Sequence, residues 1–259
     1  MESRSSGDDP RAAPSTGAQE GRQVDPASFA SPVESIAGET VRQGPARATV
    51  EGRRAQGPAL GFGQLWEKHF HARFDNSALR PEEVIAALKE NLHLFWPKGS
   101  RFYPPVFGIA PGAVGIAELA PVSGAKLTVG LLVHYADEES FTFLTAQGHM
   151  FAGWVTFSAM DEDGRTAVHI RIQMRANDPI YELGLLLGGH KTEERFWVST
   201  LRALGRHFGE ELAVTSEATL LDPHRQWRRT TNIRYNAFIL TTLHRLATPV
   251  RALRGRFGG

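Results

Sequence analysis

His149 is the residue in this sequence whose type and position are best suited to chemistry. It follows Gly148 at the point where two apolar, strand-like segments would meet. Glycine adopts backbone angles that other residues avoid, so a Gly-His pair suits a tight turn that directs the imidazole. A ring that faces inward could hydrogen-bond a ligand or act as a general base, whereas a ring that faces outward would bond a nearby carbonyl. The sequence leaves both orientations open.

Four other residues are candidate ligand contacts around an inward-facing imidazole. Tyr135, Thr142 and Trp154 occur in neighbouring strand-like segments, where they could contact the same molecule. Tyr181 follows in a short apolar segment and could shape the mouth of a pocket. These residue types combine an apolar body with a polar group, which suits an amphipathic ligand.

Arg175 ends the most regular of the strand-like segments, just before an Asn-Asp-Pro sequence. A guanidinium at that corner could hold a ligand carboxylate or phosphate through two parallel hydrogen bonds. The structural alternative is a salt bridge from Arg175 to Asp178 or Glu182 that fixes the corner. Both interpretations remain open.

Two patterns that resemble known sites are rejected. The stretch GLLLGGHKT is close to a phosphate-binding loop, but a histidine interrupts its Gly-Lys step and no strand precedes it. His69 and His71 fall on one side of a predicted strand and could hold a metal, but Glu67 and Arg73 share that side, which favours a solvated polar face. The chain has no cysteine, which excludes thiolate nucleophiles and cysteine-ligated metals. We therefore predict no metal and no cofactor.

Six strand-like segments must position these residues. They alternate apolar and polar residues with a period of two, as half-buried strands do. Asp161-Glu162-Asp163-Gly164 separates the last two, and its glycine suits a tight hairpin. Connections this short cannot contain crossover helices, so the sheet should be largely antiparallel. The segments are about 62–74, 114–120, 126–136, 140–146, 151–160 and 167–176.

Two amphipathic helices are predicted beside this sheet. The first begins at Pro81 and ends at Trp96-Pro97. The second covers about 191–208 and is roughly 27 Å long, enough to lie across a sheet. Its apolar stripe is formed by Trp197, Leu201, Leu204 and Phe208. The element order predicts an α+β fold in which helices cover one face of a curved antiparallel sheet of about six strands.

This order resembles the helix-grip arrangement of START-like (SRPBCC) ligand-binding proteins. Four local sequences also resemble an uncharacterised domain-of-unknown-function family: GFGQLW at 61–66, SFTFLTAQGH at 140–149, AGWVTFS at 152–158 and RANDPIYELG at 175–184. The resemblance covers roughly residues 60–209. It implies a cavity between the long helix and the sheet, and it implies no particular reaction.

The two ends of the chain differ from the middle. Residues 1–58 are rich in Ser, Pro, Gly and Ala, which predicts a disordered region before a helix-grip domain at 59–210. Residues 211–259 form a predicted Arg-rich extension, partly helical, in which Arg225, Arg228, Arg229 and Arg234 could contact an anionic membrane surface. The rest of the chain carries an excess of acidic residues, which argues against nucleic-acid binding. Without a long apolar segment the protein is expected to be cytoplasmic or membrane-peripheral.

Three functions fit these observations. The first is binding of a hydrophobic or amphipathic small molecule, such as a lipid or polyketide-like metabolite, between the long helix and the sheet. The second is a cofactor-independent cyclase, dehydratase or isomerase in the same cavity, with His149 moving a proton. The third is a membrane-peripheral role carried by the basic extension. Similar folds host both binding and catalysis, so the fold cannot decide between the first two.

Overall fold

A single antiparallel sheet forms the body of the protein. The computed structural model describes residues 25–32, 35–36, 49–120 and 126–243. In this part of the chain the strands are β1 (Ala55–Gln56), β2 (Leu65–Arg73), β3 (Arg101–Tyr103), β4 (Val114–Leu119), β5 (Leu127–Ala136), β6 (Ser140–Ala146), β7 (Phe151–Glu162), β8 (Arg165–Ala176) and β9 (Thr215–Asp222). Their order in the sheet is β3-β4-β5-β6-β7-β8-β2-β9, and β1 pairs with β6.

Two long helices cover the inner face of the sheet. Helix α1 spans Pro81–Phe95, the short helix α2 spans Pro179–Gly184, and the long helix α3 spans His190–His207. Proline occupies the first turn of both α1 and α2, where its missing N–H is not needed. Between α2 and α3 the chain kinks at Leu187 and Gly188, and Gly188 has a φ of 112°. The 3₁₀ helix Trp227–Tyr235 follows β9.

The core lies between the inner face of the sheet and these helices. Alternate strand residues supply fully buried rings, and the rings of Phe141 and Phe157 stack with centroids 4.7 Å apart. Helix α3 contributes Leu201 and Leu204, which are also fully buried. A smaller apolar cluster covers part of the outer face and consists of Ile36, Val50, Val114, Leu132 and Ala146.

The predicted α+β helix-grip architecture is confirmed, including both long helices and six strands, of which β4 to β8 form a five-strand meander and β2 pairs with β8. Three strands were not predicted: β1 and β3 are very short, and β9 joins the edge of β2. The predicted Arg-rich extension, residues 211–259, includes β9, which pairs with β2 at the edge of the sheet. Among residues 1–58, the described ranges include β1 and a bridge between Phe29 and Tyr135, while the rest lie outside the described residues.

No helix in the described ranges is both long and apolar enough to cross a membrane.

Candidate ligand-binding cavity

A cavity of about 700 Å³ lies between the first half of α3 and the inner face of the sheet. Strands β4 to β8 contribute its floor, and α2, α3 and the segment after α1 contribute its walls. Most lining side chains are apolar, among them Leu131, Phe151, Met174, Phe196 and Trp197. A cavity of this size and composition is in the range that proteins use for small organic molecules.

The cavity exists because α3 packs closely on the sheet only along its second half. Leu201 and Leu204 are fully buried in the core there, whereas Phe196 and Trp197 in the first half are partly exposed and border the cavity. Gly153 also lines the floor, and because it has no side chain it leaves additional space there. A Cβ at Gly153 would lie 2.1 Å from the carbonyl oxygen of Gln173, so this position requires glycine.

The imidazole of His149 lines the cavity and is buried. Its Nδ1 accepts a hydrogen bond of 3.0 Å from the backbone N–H of Phe151. Burial lowers the pKa of His149 to about 4, so the ring is neutral near pH 7. Because Nδ1 accepts, the single proton of the neutral ring is on Nε2. His149 therefore offers the cavity a hydrogen-bond donor, while its Nδ1 stabilises the turn by accepting from Phe151.

Gly148 allows that turn to form beneath the C-terminal segment. Its φ is 95°, and a Cβ there would lie only 2.1 Å from the carbonyl oxygen of Tyr235. The carbonyl of Gly148 accepts a 3.0 Å hydrogen bond from the N–H of Ala237. Glycine is thus required at position 148 by a close contact with a segment that lies almost ninety residues further along the chain.

Tyr181 and Phe238 line the same cavity from α2 and the C-terminal segment. The Tyr181 hydroxyl oxygen accepts a 3.1 Å hydrogen bond from the backbone N–H of Phe238. Burial raises the pKa of Tyr181 well above its usual range, so its hydroxyl stays protonated. The phenol therefore fastens the C-terminal segment to the wall of the cavity.

Arg175, Tyr135 and Thr142, which we expected at the cavity, lie elsewhere. Thr142 is on the outer face, where its Oγ1 is 2.9 Å from that of Thr156. The Tyr135 hydroxyl donates to Asp137. Because strand side chains alternate between faces, the residues of β6 that face inward are Phe141, Phe143 and Thr145.

Arg175 is buried and structural. It forms an ion pair with Asp222 at the end of β9, and its guanidinium donates to the carbonyls of Gly63, at 2.6 Å, and His224, at 2.9 Å. Its partner is therefore neither Asp178 nor Glu182, as the salt-bridge alternative assumed. Those contacts depend on β9, a strand that the sequence pattern did not predict.

Trp154 borders the cavity, but its side chain lies on the outer face with its cross-strand partners Leu144 and Gln173. Its indole ring packs there against Gly57, where a Cβ would lie 3.5 Å from Cζ3. Of the residues expected around an inward-facing His149, Tyr181 is thus the one that lines the cavity from the inner side.

An ion pair between Lys68 and Glu193 adjoins the cavity and was not predicted. The two side chains are 4% and 9% exposed, and the Lys68 ammonium donates to Glu193. Burial raises the pKa of Glu193, and the nearby Lys68 opposes that shift. Glu193 lines the cavity, and the Trp197 indole N–H lies near its carboxyl group and acts to lower its pKa. The contact falls outside hydrogen-bonding geometry, so Oε1 of Glu193 has no well-aligned donor among the described residues. One signal was available, since Lys68 interrupts the apolar alternation of β2.

The fold and the cavity define a helix-grip α+β protein with a large internal cavity between its long helix and its sheet. No family model matches the sequence, and no curated protein matches it significantly. The resemblance to a domain-of-unknown-function family therefore stays a resemblance.

Several solved structures are similar to part of the chain. Protein Ms6760 from Mycobacterium smegmatis is 15% identical, with a TM-score of 0.41 over 55% of this chain and 90% of that one. The di-domain ARO/CYC StfQ from the steffimycin biosynthetic pathway is 8% identical, with a TM-score of 0.42 over 54% of this chain and 49% of StfQ. Major latex-like protein 151 from Panax ginseng is 17% identical, with a TM-score of 0.38 over 56% and 98%. At these TM-scores no property of those proteins is transferred to this chain.

Buried histidines make the stability of the protein depend on pH. Burial lowers the pKa of His149, His169 and His190 to about 4. In the unfolded chain these groups titrate near ~6.5, so between the two values the unfolded chain binds more protons. The free energy of unfolding is therefore greatest above about pH 6.5 and decreases as the pH falls towards 4.

We predict that His149→Asn reduces this acid sensitivity. Between pH 7 and pH 5 the free energy of unfolding should decrease in the variant by ~2 kcal/mol less than it decreases in the intact chain. The reason is that the variant lacks one group whose pKa is lowered by folding. Urea denaturation at the two pH values measures this difference. The control His93→Asn changes an exposed histidine on α1 and should leave the pH dependence unaltered. If the free energy of unfolding decreased equally between pH 7 and pH 5 in the intact chain and in both variants, the buried, neutral state of His149 would be contradicted.

Proposed function

We propose that this protein binds an amphipathic small molecule in the cavity between α3 and the sheet. The observation that carries the proposal is a largely apolar cavity of about 700 Å³ into which a neutral imidazole presents one N–H. Burial of apolar ligand surface supplies most of the affinity, at ~25 cal/mol per Å². A carbonyl or carboxylate oxygen of the ligand accepts from Nε2 of His149, which orients the molecule.

The assignment of His149 as a donor follows from its contacts. A general base needs a free nitrogen lone pair, but Nδ1 already accepts from the N–H of Phe151. Its lowered pKa also makes the ring a weak base. Both observations favour hydrogen bonding to a ligand over proton transfer by this residue.

A mouth for the cavity is available where α2 meets α3. Gly184 and Leu187 line the cavity, and Leu187 is 78% exposed. The kink at Gly188 separates the two helices there. Exposed leucines beside an apolar cavity suit the entry of an apolar molecule, because they bury apolar surface as the ligand passes.

Gly184→Trp should obstruct this mouth. The backbone of Gly184 is helical, and a Cβ there would meet no described atom within 4 Å, so the fold should accept the change. We expect binding of the fluorescent fatty acid 11-(dansylamino)undecanoic acid to weaken at least ~10-fold, which corresponds to a loss of about 1.4 kcal/mol.

The matched control for this experiment is Leu183→Trp. Leu183 is the preceding residue, is 56% exposed and is not among the described residues that line the cavity. Its variant should bind the probe as the intact chain does. If both variants bind like the intact chain, the probe does not enter through this mouth, and the proposed entry is wrong.

His149→Asn should show how much the polar contact contributes to ligand affinity, separately from the apolar contacts. An asparagine oxygen can still accept from the N–H of Phe151 two residues on, so the turn is preserved, while the Nε2–H is lost. We expect the dissociation constant of the same probe to rise ~3- to 10-fold, as for one hydrogen bond. Fluorescence titration at pH 7 measures it, with His93→Asn as the control. Unchanged affinity would remove His149 from the binding role.

Catalysis in the same cavity is the second candidate, and Glu193 is the observation that favours it. Its carboxyl group is buried at the cavity wall near the Trp197 indole and is paired with Lys68 on one oxygen, while the other has no well-aligned hydrogen-bond donor among the described residues. Burial raises its pKa, which brings a carboxyl group closer to the range useful for acid-base chemistry. In a cyclase, dehydratase or isomerase Glu193 would move the proton, and His149 would hydrogen-bond developing negative charge.

Native mass spectrometry of Glu193→Gln and of the intact chain distinguishes the two candidates. Both proteins would be purified from the same host and examined with any copurified compound still bound. A binding protein should carry a compound of the same mass in both forms. An enzyme should carry a different compound in the variant, because the unreacted substrate accumulates there. The variant Glu194→Gln, on the exposed side of α3, is the control and should match the intact chain.

Membrane association through the C-terminal arginines stays a prediction. Arg225 pairs with Glu182 at 2.8 Å, so this arginine has a partner within the fold. Arg228 and Arg234 are exposed. The cavity proposal does not depend on them.

A further inference from the structure

A second group of titratable side chains lies on the outer face of the sheet, opposite the cavity. His71 on β2 and His169 on β8 are direct cross-strand partners. Glu162, at the end of β7, reaches back to both imidazoles. His69 lies beside them on β2. Only His69 and His71 are close together in the sequence, and the pairing of β2 with β8 that adds His169 cannot be predicted from a local pattern.

The carboxylate of Glu162 bridges the two imidazoles. Its Oε2 is 3.0 Å from Nε2 of His71, and its Oε1 is 3.2 Å from Nε2 of His169. One ligand atom from each of these three residues lies within 4.8 Å of the others. Two imidazole nitrogens and one carboxylate oxygen thus lie close enough together to bind a single ion.

We propose that His71, His169 and Glu162 form a binding site for a divalent transition-metal ion of the Zn²⁺ class. Two histidines and one carboxylate are a ligand set that Zn²⁺ accepts, with a water completing the coordination. Bond lengths of ~2.0–2.2 Å require ligand atoms about 3.3–3.5 Å apart, so the carboxylate oxygen and the imidazole nitrogens, now 3.0 and 3.2 Å apart, would separate slightly to admit the ion.

The hydrogen bonding of His169 is compatible with this site. The residue is 9% exposed, and the 3.2 Å contact of its Nε2 with Oε1 of Glu162 lacks hydrogen-bonding geometry, so the lone pair of Nε2 is not committed to another described residue. Its Nδ1 is 2.9 Å from Nε2 of His69. If Nδ1–H donates to His69, the lone pair on Nε2 of His169 is directed to the metal, which is how proteins orient histidine ligands. His69 is then a positioning residue.

The surroundings are mixed in charge and leave the site open to water. Arg171 lies on the same face, as do Glu67 and Glu217. The side chains of His71 and Glu162 are 31% and 33% exposed, so an ion can enter. Because the site joins β2 to the β7-β8 hairpin on the face away from the cavity, a bound ion would hold three strands together.

Isothermal titration of the untagged, full-length chain with ZnCl₂ after EDTA treatment tests the proposal. We expect one equivalent to bind, and CoCl₂ to give the visible absorption of a four-coordinate nitrogen and oxygen site. Glu162→Gln, at a partly exposed position, and His169→Gln should each weaken Zn²⁺ binding at least ~100-fold. His69→Gln should weaken it ~10-fold, because it orients His169 without touching the ion.

His93→Gln is the control, since it removes an exposed histidine from α1 and should leave binding unchanged. Thermal unfolding without metal would show whether His169→Gln still folds, and Glu162→Gln provides the test if it does not. Absence of a stoichiometric site would overturn the proposal. Zn²⁺ binding that is equally strong in the Glu162→Gln variant would do the same, because the ion would then be held by scattered surface groups.

Discussion

The buried carboxylate of Asp178 fixes the corner on which the cavity depends. It accepts hydrogen bonds from the N–H groups of Ile180, at 2.9 Å, and Tyr181, at 3.1 Å, and so begins α2. Its other oxygen accepts from the side-chain amide of Asn236 at 2.8 Å. Burial raises the pKa of Asp178, while these hydrogen bonds act to lower it. The chain leaves β8 at this corner, so the corner sets where α2, the kink and the first half of α3 stand above the sheet.

The same corner also holds the C-terminal segment that positions His149. The amide of Asn232 donates to the carbonyls of Leu60, at 2.8 Å, and Asn177, at 2.9 Å. Beyond it, the N–H of Ala237 donates to the carbonyl of Gly148. These hydrogen bonds join segments that are far apart in sequence, while the side-chain Nδ2 of Asn177 has no partner among the described residues. The position of the helix and the direction of the imidazole therefore depend on one set of hydrogen bonds.

The strands and helices that bury one face could be predicted from the sequence, because a buried face imposes a period on apolar residues. Strand β9 has almost no such period, since its residues are largely exposed and its stability comes from pairing with β2. Contacts of the candidate site were harder to predict. Thr142 falls on the face opposite Phe141 and Phe143, but only the packed helices decide which face encloses the cavity. Tyr135 follows an irregularity in the pairing of β5 with β6, which no local pattern reveals.

The roles of Glu193 and His149 at the cavity follow from how each side chain is paired. A buried ion pair adds little net stability because desolvation offsets its attraction, so Lys68 and Glu193 are poorly explained as a stabilising device. An apolar pair would fill the same space without that cost. His149, in contrast, is neutral, and its Nδ1 accepts a hydrogen bond within the turn. Its Nε2–H can orient a polar group of a ligand, but the ring does not take up a second proton near pH 7. Glu193 is therefore better suited than His149 to transfer a proton in this cavity, whereas the imidazole is suited to orienting a bound ligand.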